Sequence, residues 1–373
     1  MIPFLRKHIT GDELKNLQDL VMNSDLESEG RYSTLCTNFL KKRYGFRQVL
    51  LTSSSTAALE MSAVLMNLTS KNEVIIPSYT YVSTATSFLI TGSVIRYADS
   101  RKDHPNVSAE SIRKQISYHS KVIVPVHYGG VGCDMPEIMK IADEHGLYVV
   151  EDAAHAIDSK LNGKALGTFG HLGVISFHDT KNIFAGKGGA LIINDPELAE
   201  RAEVLFENGT NRNEFYKGKA EKYEWTDFGS SYHMSEFNAA VLYAQLCHID
   251  ALQEKRLKIW KRYHNELQNS EGKIQLAQIS PQNEHNAHLY YIVLESKTER
   301  DRFIQYMKEK EIDCRFHFQG LHLSRFGKKY RTEANPACEK FTNGLVRLPI
   351  YPDLTEEEQT RVISAISDFA NKI

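Results

Sequence analysis

Three short stretches of the 373-residue chain combine side chains able to do chemistry with the place such chemistry needs, the end of an apolar, β-branched run. In Leu51-Thr52-Ser53-Ser54-Ser55-Thr56-Ala57 a run of hydroxyls separates a strand pattern from a helix pattern. Hydroxyls and free backbone N–H groups at a helix start attract phosphate, whereas a Ser that only capped the helix would account for one hydroxyl of the run. In Val149-Val150-Glu151-Asp152-Ala153-Ala154-His155 two carboxylates end a buried strand. Alone, such an acid reads equally as a helix cap. In Val174-Ile175-Ser176-Phe177-His178-Asp179-Thr180-Lys181 a Lys emerges just past a strand, and Gly186-Lys187-Gly188-Gly189 follows. A loop Lys is ordinarily solvated, but one beside glycines that admit a ligand to the backbone suits a Schiff-base nucleophile. An acid for a protonated pyridine nitrogen, a phosphate cradle and an amine for an aldehyde are together the requirements of pyridoxal 5′-phosphate. No Gly-x-Gly-x-x-Gly follows the first strand, so a nicotinamide dehydrogenase loses its main support.

Elements able to hold these stretches alternate along the chain. Strands are predicted at Val49–Leu51, Val74–Ile76, Val94–Tyr97, Val122–Val126, Leu147–Val150, Val174–Phe177 and Ala190–Ile193. Helical periods lie between them at Ala57–Asn67, Val82–Thr91, Ala109–Ser117, Met135–His145 and Glu197–Glu207. This alternation predicts an α/β fold with a mainly parallel sheet, whose ligands bind beyond the carboxyl ends of the strands. From Met234 the apolar period runs on toward Leu267, predicting one long helix. A polar stretch from Asn269 to Asn286 precedes a strand at Tyr290–Leu294 and helices at Glu299–Lys310 and Glu356–Ala370. We expect a large α/β domain over residues 1–250 and a smaller α+β domain over residues 251–373.

Bulk composition narrows the function by exclusion. A formal net charge of −2 gives no general attraction for nucleic acid or an anionic membrane. The five Cys are scattered and never paired as Cys-x-x-Cys, which argues against a disulfide framework or a Cys-rich zinc site and fits a reducing, cytoplasmic setting. His127 stands without nearby metal-binding partners, so no metal site is expected. Met1 to His8 has no apolar core of a signal peptide, and the best apolar stretch, Ala57 to Leu68, is too short for a membrane span. Met22, Met61 and Met66 read as core filler, and Trp225 and Trp260 as packing residues.

Taken together, Pro77-Ser78-Tyr79-Thr80-Tyr81, Glu151-Asp152-Ala153-Ala154-His155 and Ser176-Phe177-x-x-x-Lys181-x-x-x-x-Gly186-x-Gly188-Gly189 resemble the DegT/DnrJ/EryC1 nucleotide-sugar aminotransferases. The likeness runs from Ile2-Pro3-Phe4 to Arg347-Leu348-Pro349-Ile350-Tyr351-Pro352. It implies the fold type I architecture of pyridoxal-phosphate transferases and a homodimer with shared active sites. It further implies that Lys181 binds the cofactor aldehyde, Asp152 pairs with the pyridine nitrogen and His155 sits near the phenolic oxygen. Tyr81 would stack on the ring. Ser55, Thr56 and Ser176 would hold the phosphate, and Ser231 would reach the neighbouring subunit's phosphate.

Departures from the family pattern are Lys187 for the usual Glu, Ser55 for a Gly, Ser231 for an Asn, and Gly320-Leu321-His322 for Pro-Leu-His. Lys187 is a second candidate amine, and its place among glycines predicts a side chain that is solvated or faces the substrate phosphate, leaving Lys181 as the nucleophile. Arg212, Lys222, Tyr223 and His322 are candidates for the nucleotide-sugar wall. The implied reaction moves an amino group from L-glutamate to a dTDP-4-keto-6-deoxyhexose, with the galacto product favoured, for surface polysaccharide such as lipopolysaccharide. A 3-aminotransferase and a gluco-product enzyme are the near alternatives. The intact Lys, Asp and hydroxyl set argues against a non-catalytic regulator of the same fold.

Overall fold

The computed structural model describes residues 1–23, 30–216, 218–270 and 274–372. Its centre is a seven-stranded sheet in the order Gln48–Thr52, Gly189–Ile193, Leu172–Ser176, Tyr148–Asp152, Ser120–Ile123, Glu73–Pro77, Val94–Ala98. Gly189–Ile193 runs antiparallel to both of its neighbours, and the other pairings in the row are parallel. Each predicted strand is present. The one predicted to Val126 closes at Ile123, and Val126 keeps only an isolated bridge to Asp152.

Both faces of this sheet are covered, which is why its strands read as continuous apolar runs rather than alternating ones. Val49, Leu51, Ile75, Ile123, Val149 and Ile175 pack on one side against Cys36, Leu40, Ile138, Ile141 and Leu242. Leu50, Val74, Ile76, Val122, Val150 and Val174 pack on the other against Leu59, Met61, Phe88 and Leu205. Local signals set the helix ends. Asp134 accepts the Glu137 N–H, Pro136 occupies the first turn and Gly146 closes Met135–His145 at φ 64°.

The long helix expected from Met234 is instead two, Glu236–Cys247 and Ile249–Leu267, broken at His248. Side chains on either side of the break are captured from outside the helix. Gln245 Nε2 donates to His8 O at 3.0 Å, and the His248 ring pairs with Asp12 at 2.7 Å. Two further helices, Asp12–Met22 and Arg31–Tyr44, precede the first strand. Met22 is 82% exposed, not core; Met61 and Met66 are buried.

Beyond Leu267 a second sheet pairs Gln275–Leu276, Tyr290–Val293, Leu345–Leu348 and Arg315–Phe316, all antiparallel, under helices Lys297–Glu309 and Glu356–Ala370. Of the polar stretch 269–286, residues 271–273 lie outside the described set. The chain does not divide cleanly in sequence order. Ile2 bridges Ile312 and is buried with the second core, and Asn283–Glu284 pairs with Lys160–Leu161 of the first. No described helix is long and apolar enough to cross a membrane.

Candidate active site

The sheet register gathers the hydroxyls. Thr52 and Ser176 are both paired with Gly189, one from each side, so all three stand in one row at the sheet edge. Helix Ser55–Leu65 begins immediately beyond, with Ser54 as N-cap accepting the Ala57 N–H at 3.1 Å. The cap thus uses Ser54, leaving Ser55 and Thr56 half-buried at the helix mouth. A Cβ on Gly189 would stand 2.3 Å from Ser55 N, so only glycine lets this strand pass so close to the helix start. Helix N–H groups, two hydroxyls from the helix and one from Ser176 form a concave donor set of the kind a phosphate occupies.

The two acids at the next strand end have separate tasks. Glu151 is buried and accepts N–H bonds from Gly167 (2.9 Å), Phe169 (2.6 Å) and Gly170 (2.7 Å), and it lies 2.9 Å from His127 Nε2. The Cys133 N–H reaches His127 Nδ1 at 3.1 Å, so the ring carries its proton on Nε2 and donates it to Glu151. This is scaffolding that fixes the loop under the strand ends. Glu151→Ala strands three buried N–H donors and His127, and should cost about 3–5 kcal/mol of unfolding free energy in denaturant titration. Equal stability would refute the bracing role.

Asp152 faces the other way, into the site. It is buried, accepts Thr84 Oγ1 at 2.9 Å and the Ala154 N–H at 3.2 Å, and Thr84 is itself 2.8 Å from Thr80 Oγ1. Desolvation raises its pKa above the ordinary carboxylate value, against the lowering pull of those bonds and of Lys181. A buried carboxylate held by two donors and facing Lys181 fits a cationic ring nitrogen.

Lys181 sits in the turn after Leu172–Ser176, its N–H bonded to His178 O at 2.9 Å. The loop is pinned on both sides. Asn182 Nδ2 donates to Gln253 Oε1 and Asn286 O, and Lys7 pairs with Asp179 at 2.9 Å. Burial pulls the Lys181 pKa down to about 8, although Asp152 raises it; Arg347 adds to the fall. Lys187, by contrast, is exposed on the same loop.

His155 is buried. The Gly129 N–H reaches its Nδ1 at 3.3 Å, and its ring lies 4.4 Å from His288 and 5.9 Å, near parallel, from His317. Burial and then the Lys181 charge depress its pKa, so the ring is neutral, with its proton on Nε2. Tyr81 is 61% exposed, its ring 6.3 Å from Phe318.

Lys181, Asp152, His155, Ser55, Thr56 and Ser176 all stand at the carboxyl edge of the sheet, with Tyr81 at its rim. The remaining predicted residues are placed otherwise. Ser231 is exposed on a segment tied to the phosphate-type cradle by the Ser53 N–H to Tyr232 O bond, 2.7 Å. Arg212, at the start of the short helix Arg212–Tyr216, faces Glu207 at 3.6 Å, and Lys222 and Tyr223 lie on the segment that follows; all three are exposed. Trp225, expected to pack, is 82% exposed. Thr210 and Trp225 are bridged through backbone, so chain pairing shapes that segment and leaves the indole outside. His322 lines no open wall. It is fully buried, Nδ1 2.5 Å from Ser78 Oγ and Nε2 3.2 Å from Glu339, pinning the second sheet unit to the end of Glu73–Pro77.

Residues that sequence reasoning did not find also enter the site: Thr84 on Asp152, His288 and His317 on His155, Phe318 near Tyr81, and Arg347. Thr84 stood in the helix predicted at Val82–Thr91 and Arg347 in the family-like stretch near the end, and nothing local marked a role for either.

The family model for the DegT/DnrJ/EryC1/StrS aminotransferases matches residues 7–367, and the chain belongs to that family. It is therefore an aminotransferase, and its cofactor is pyridoxal 5′-phosphate. An uncharacterized protein of Methanocaldococcus jannaschii is 31% identical over 380 positions, covering 100% of this chain and 98% of the relative. Among solved structures, the aminotransferase TlmJ of Streptoalloteichus hindustanus superposes with a TM-score of 0.91 at 25% identity, covering 100% of this chain and 99% of that one. DesV of S. venezuelae does so at 0.86 and 27%, with the same coverage.

Proposed function

We propose that this chain moves an amino group from L-glutamate to C4 of a dTDP-4-keto-6-deoxyhexose, giving dTDP-4-amino-4,6-dideoxygalactose for bacterial surface polysaccharide. The observation that carries the reading is the junction at Ser53. There the segment Lys222–Tyr232, which with Gly209-Thr210-Asn211-Arg212 upstream is similar in sequence to the 4-amino-4,6-dideoxygalactose transaminases of the family, is bonded through Tyr232 to Ser53 at the mouth of the hydroxyl cradle. A bulky phosphorylated substrate would thus meet Arg212, Lys222 and Tyr223 at the rim while its keto carbon enters toward Lys181.

Bound there, pyridoxal phosphate supplies an electron sink for the carbon that loses or gains a proton. Ser55, Thr56 and Ser176 would hold its phosphate, Tyr81 would stack on its ring, Asp152 would pair with its pyridine nitrogen, and His155 would offer its Nε2–H to the phenolic oxygen. Lys181, neutral above about pH 8, would take the proton from the donor's α-carbon and give it up again within the same half-reaction, and would run the transfer in reverse in the second half, delivering a proton to the sugar carbon.

The same segment supports a homodimer with shared sites. Tyr223, Trp225 and Phe228 are all exposed on the stretch that carries Ser231, a larger apolar display than a solvated loop needs. Sedimentation should give twice the chain mass.

The direct test incubates the cofactor-loaded protein with L-glutamate and dTDP-4-keto-6-deoxyglucose and locates the new amine by NMR. An axial amine at C4 is expected. An equatorial C4 amine makes the enzyme a gluco-product transaminase, an amine at C3 a 3-aminotransferase, and no aminated sugar overturns the reading.

A further inference from the structure

Three histidine rings meet at the site, and two of them are accounted for. His155 offers its Nε2–H, and His317 Nδ1 is held by the Tyr128 hydroxyl at 2.7 Å. The third, His288, joins His155 to the lysine loop. Its ring lies 4.4 Å from that of His155, and its Nδ1 is 2.9 Å from Oδ1 of Asn182, the residue after Lys181.

The surroundings of Asn182 fix the tautomer of His288. Asn286 O is a backbone carbonyl that can only accept, and it lies 2.8 Å from Asn182 Nδ2. The same Nδ2 donates to Gln253 Oε1 at 2.9 Å, and Gln253 Nε2 in turn donates to Asn286 O at 3.0 Å. Asn182 therefore turns its amide oxygen toward His288, so His288 Nδ1 carries the proton and donates it. The ring stays neutral. Burial holds its pKa well below the ordinary histidine value, and His155, Lys181, Arg256 and His317 around it all push the same way. A neutral ring has one N–H, which leaves Nε2 with a bare lone pair. His155 does not satisfy it, because the two rings meet face to face at a tilt of 33° rather than edge to edge. The residue is half-buried rather than sealed. A hydrogen-bond acceptor thus stands open beside the donor nitrogen of His155.

We propose that His288 Nε2 accepts a hydrogen bond from the C3 hydroxyl of the keto sugar, and so selects a sugar hydroxylated next to its carbonyl. This rests on the transaminase reading above. The lone pair chooses among the groups that reach Lys181. It repels the carboxylates of L-glutamate, which brings no hydroxyl and whose amine is the group transferred. In a 4-keto-6-deoxyhexose the carbonyl carbon is flanked by C3, which bears a hydroxyl, and by C5, which bears hydrogen, the ring oxygen and a methyl group. Only C3 carries a donor beside the reacting carbon. That carbon must come to Lys181, and His288 is tied to the adjacent residue through Asn182.

The experiment compares dTDP-4-keto-6-deoxyglucose with its 3-deoxy counterpart in the sugar half-reaction, followed by stopped-flow absorbance of the aminated enzyme. Wild type should favour the 3-hydroxy sugar roughly 30-fold in second-order rate constant, the effect of leaving one site acceptor unpaired. His288→Asn keeps a donor for Asn182 but puts no acceptor where Nε2 stood, and should shrink the ratio to within about threefold. His288→Gln, whose amide oxygen reaches the Nε2 position, should restore part of it. Independently of turnover, 15N NMR of the histidine-labelled, cofactor-free protein should show one ring protonated on Nδ1 and bare on Nε2 that is lost in His288→Asn. The opposite tautomer overturns the proposal. So does a wild type that treats the two sugars alike, or a preference that survives in His288→Asn; each of these leaves the transaminase reading intact. A wild type that is aminated by L-glutamate but ignores both sugars overturns the substrate reading, and the C3 contact with it.

Discussion

Lys181→Ala is expected to lower transamination by about 10⁴-fold, the upper range for loss of a positioned acid–base group. Lys187→Ala should stay within roughly a factor of two, as for other exposed positions. Both lysines lie on the loop between Ser176 and Gly189, where the flanking glycines already favour Lys181. The environments differ in the same direction: Lys187 is exposed, while burial brings the Lys181 amine to about 8. A nucleophilic amine must be neutral, so the rate at which the cofactor-free protein takes up pyridoxal phosphate should climb with pH through about 8 and then level off. Absorbance of the bound cofactor reads this directly. Peptide mapping after borohydride reduction should put the label on Lys181; label on Lys187 would reverse the assignment.

The same depressed pKa has a consequence for stability. In the unfolded chain Lys181 holds its proton up to the ordinary lysine range, and in the cofactor-free fold only up to about 8. Between those values the unfolded state binds more protons, so this residue makes stability rise with pH there, and its full cost is felt below about 8. Lys181→Met should therefore make the cofactor-free protein more stable at pH 7, by on the order of 2–3 kcal/mol. The advantage should shrink as pH passes above 8. A lower melting temperature for Lys181→Met at pH 7 would contradict this.

What could be read from sequence follows from the range of the forces involved. The central strands were legible because burial on both faces demands unbroken apolar runs, and the site stretches because each abuts such a run. The helices Asp12–Met22 and Arg31–Tyr44 escaped notice because both start at glycines, Gly11 and Gly30, with no side-chain cap to announce them. Arg315–Phe316 is two residues long and shows no periodicity at all. Glu151 and Asp152 are adjacent in sequence, so the strand pleat sends them to opposite faces, one to brace a loop and one to the site. Thr84 reaches Asp152 across 68 residues and His322 reaches Ser78 across 244; contacts of that span leave no local signature.

Asp152 carries the second large effect, and its sign differs between the loaded and the empty protein. Asp152→Asn should reduce turnover by about 10²–10³-fold, the usual loss when a preorganised charge facing the reacting system is removed. The mechanism is specific: an amide cannot hold a proton on the pyridine nitrogen by charge, so electron withdrawal from the donor carbon weakens while the phosphate cradle still binds. Cofactor affinity should accordingly change far less than kcat. In the empty protein the balance inverts. Burial raises the Asp152 pKa, so the folded state retains its proton at pH values where the unfolded chain has lost it. Stability then falls as pH rises from the ordinary carboxylate value through the raised one, and above that the penalty is complete. Asp152→Asn should thus raise the melting temperature of the cofactor-free protein at pH 7 while crippling the loaded enzyme. It should also move Lys181 further below 8, because the Asp152 charge that raises its proton affinity is gone. A variant that kept full activity, or whose Lys181 titrated higher than wild type, would refute the pairing. Thr84→Val, which removes a 2.9 Å bond to the carboxylate and leaves the charge, should weaken turnover about tenfold or less. The gap between the two variants measures how much of the effect belongs to the charge and how much to its orientation.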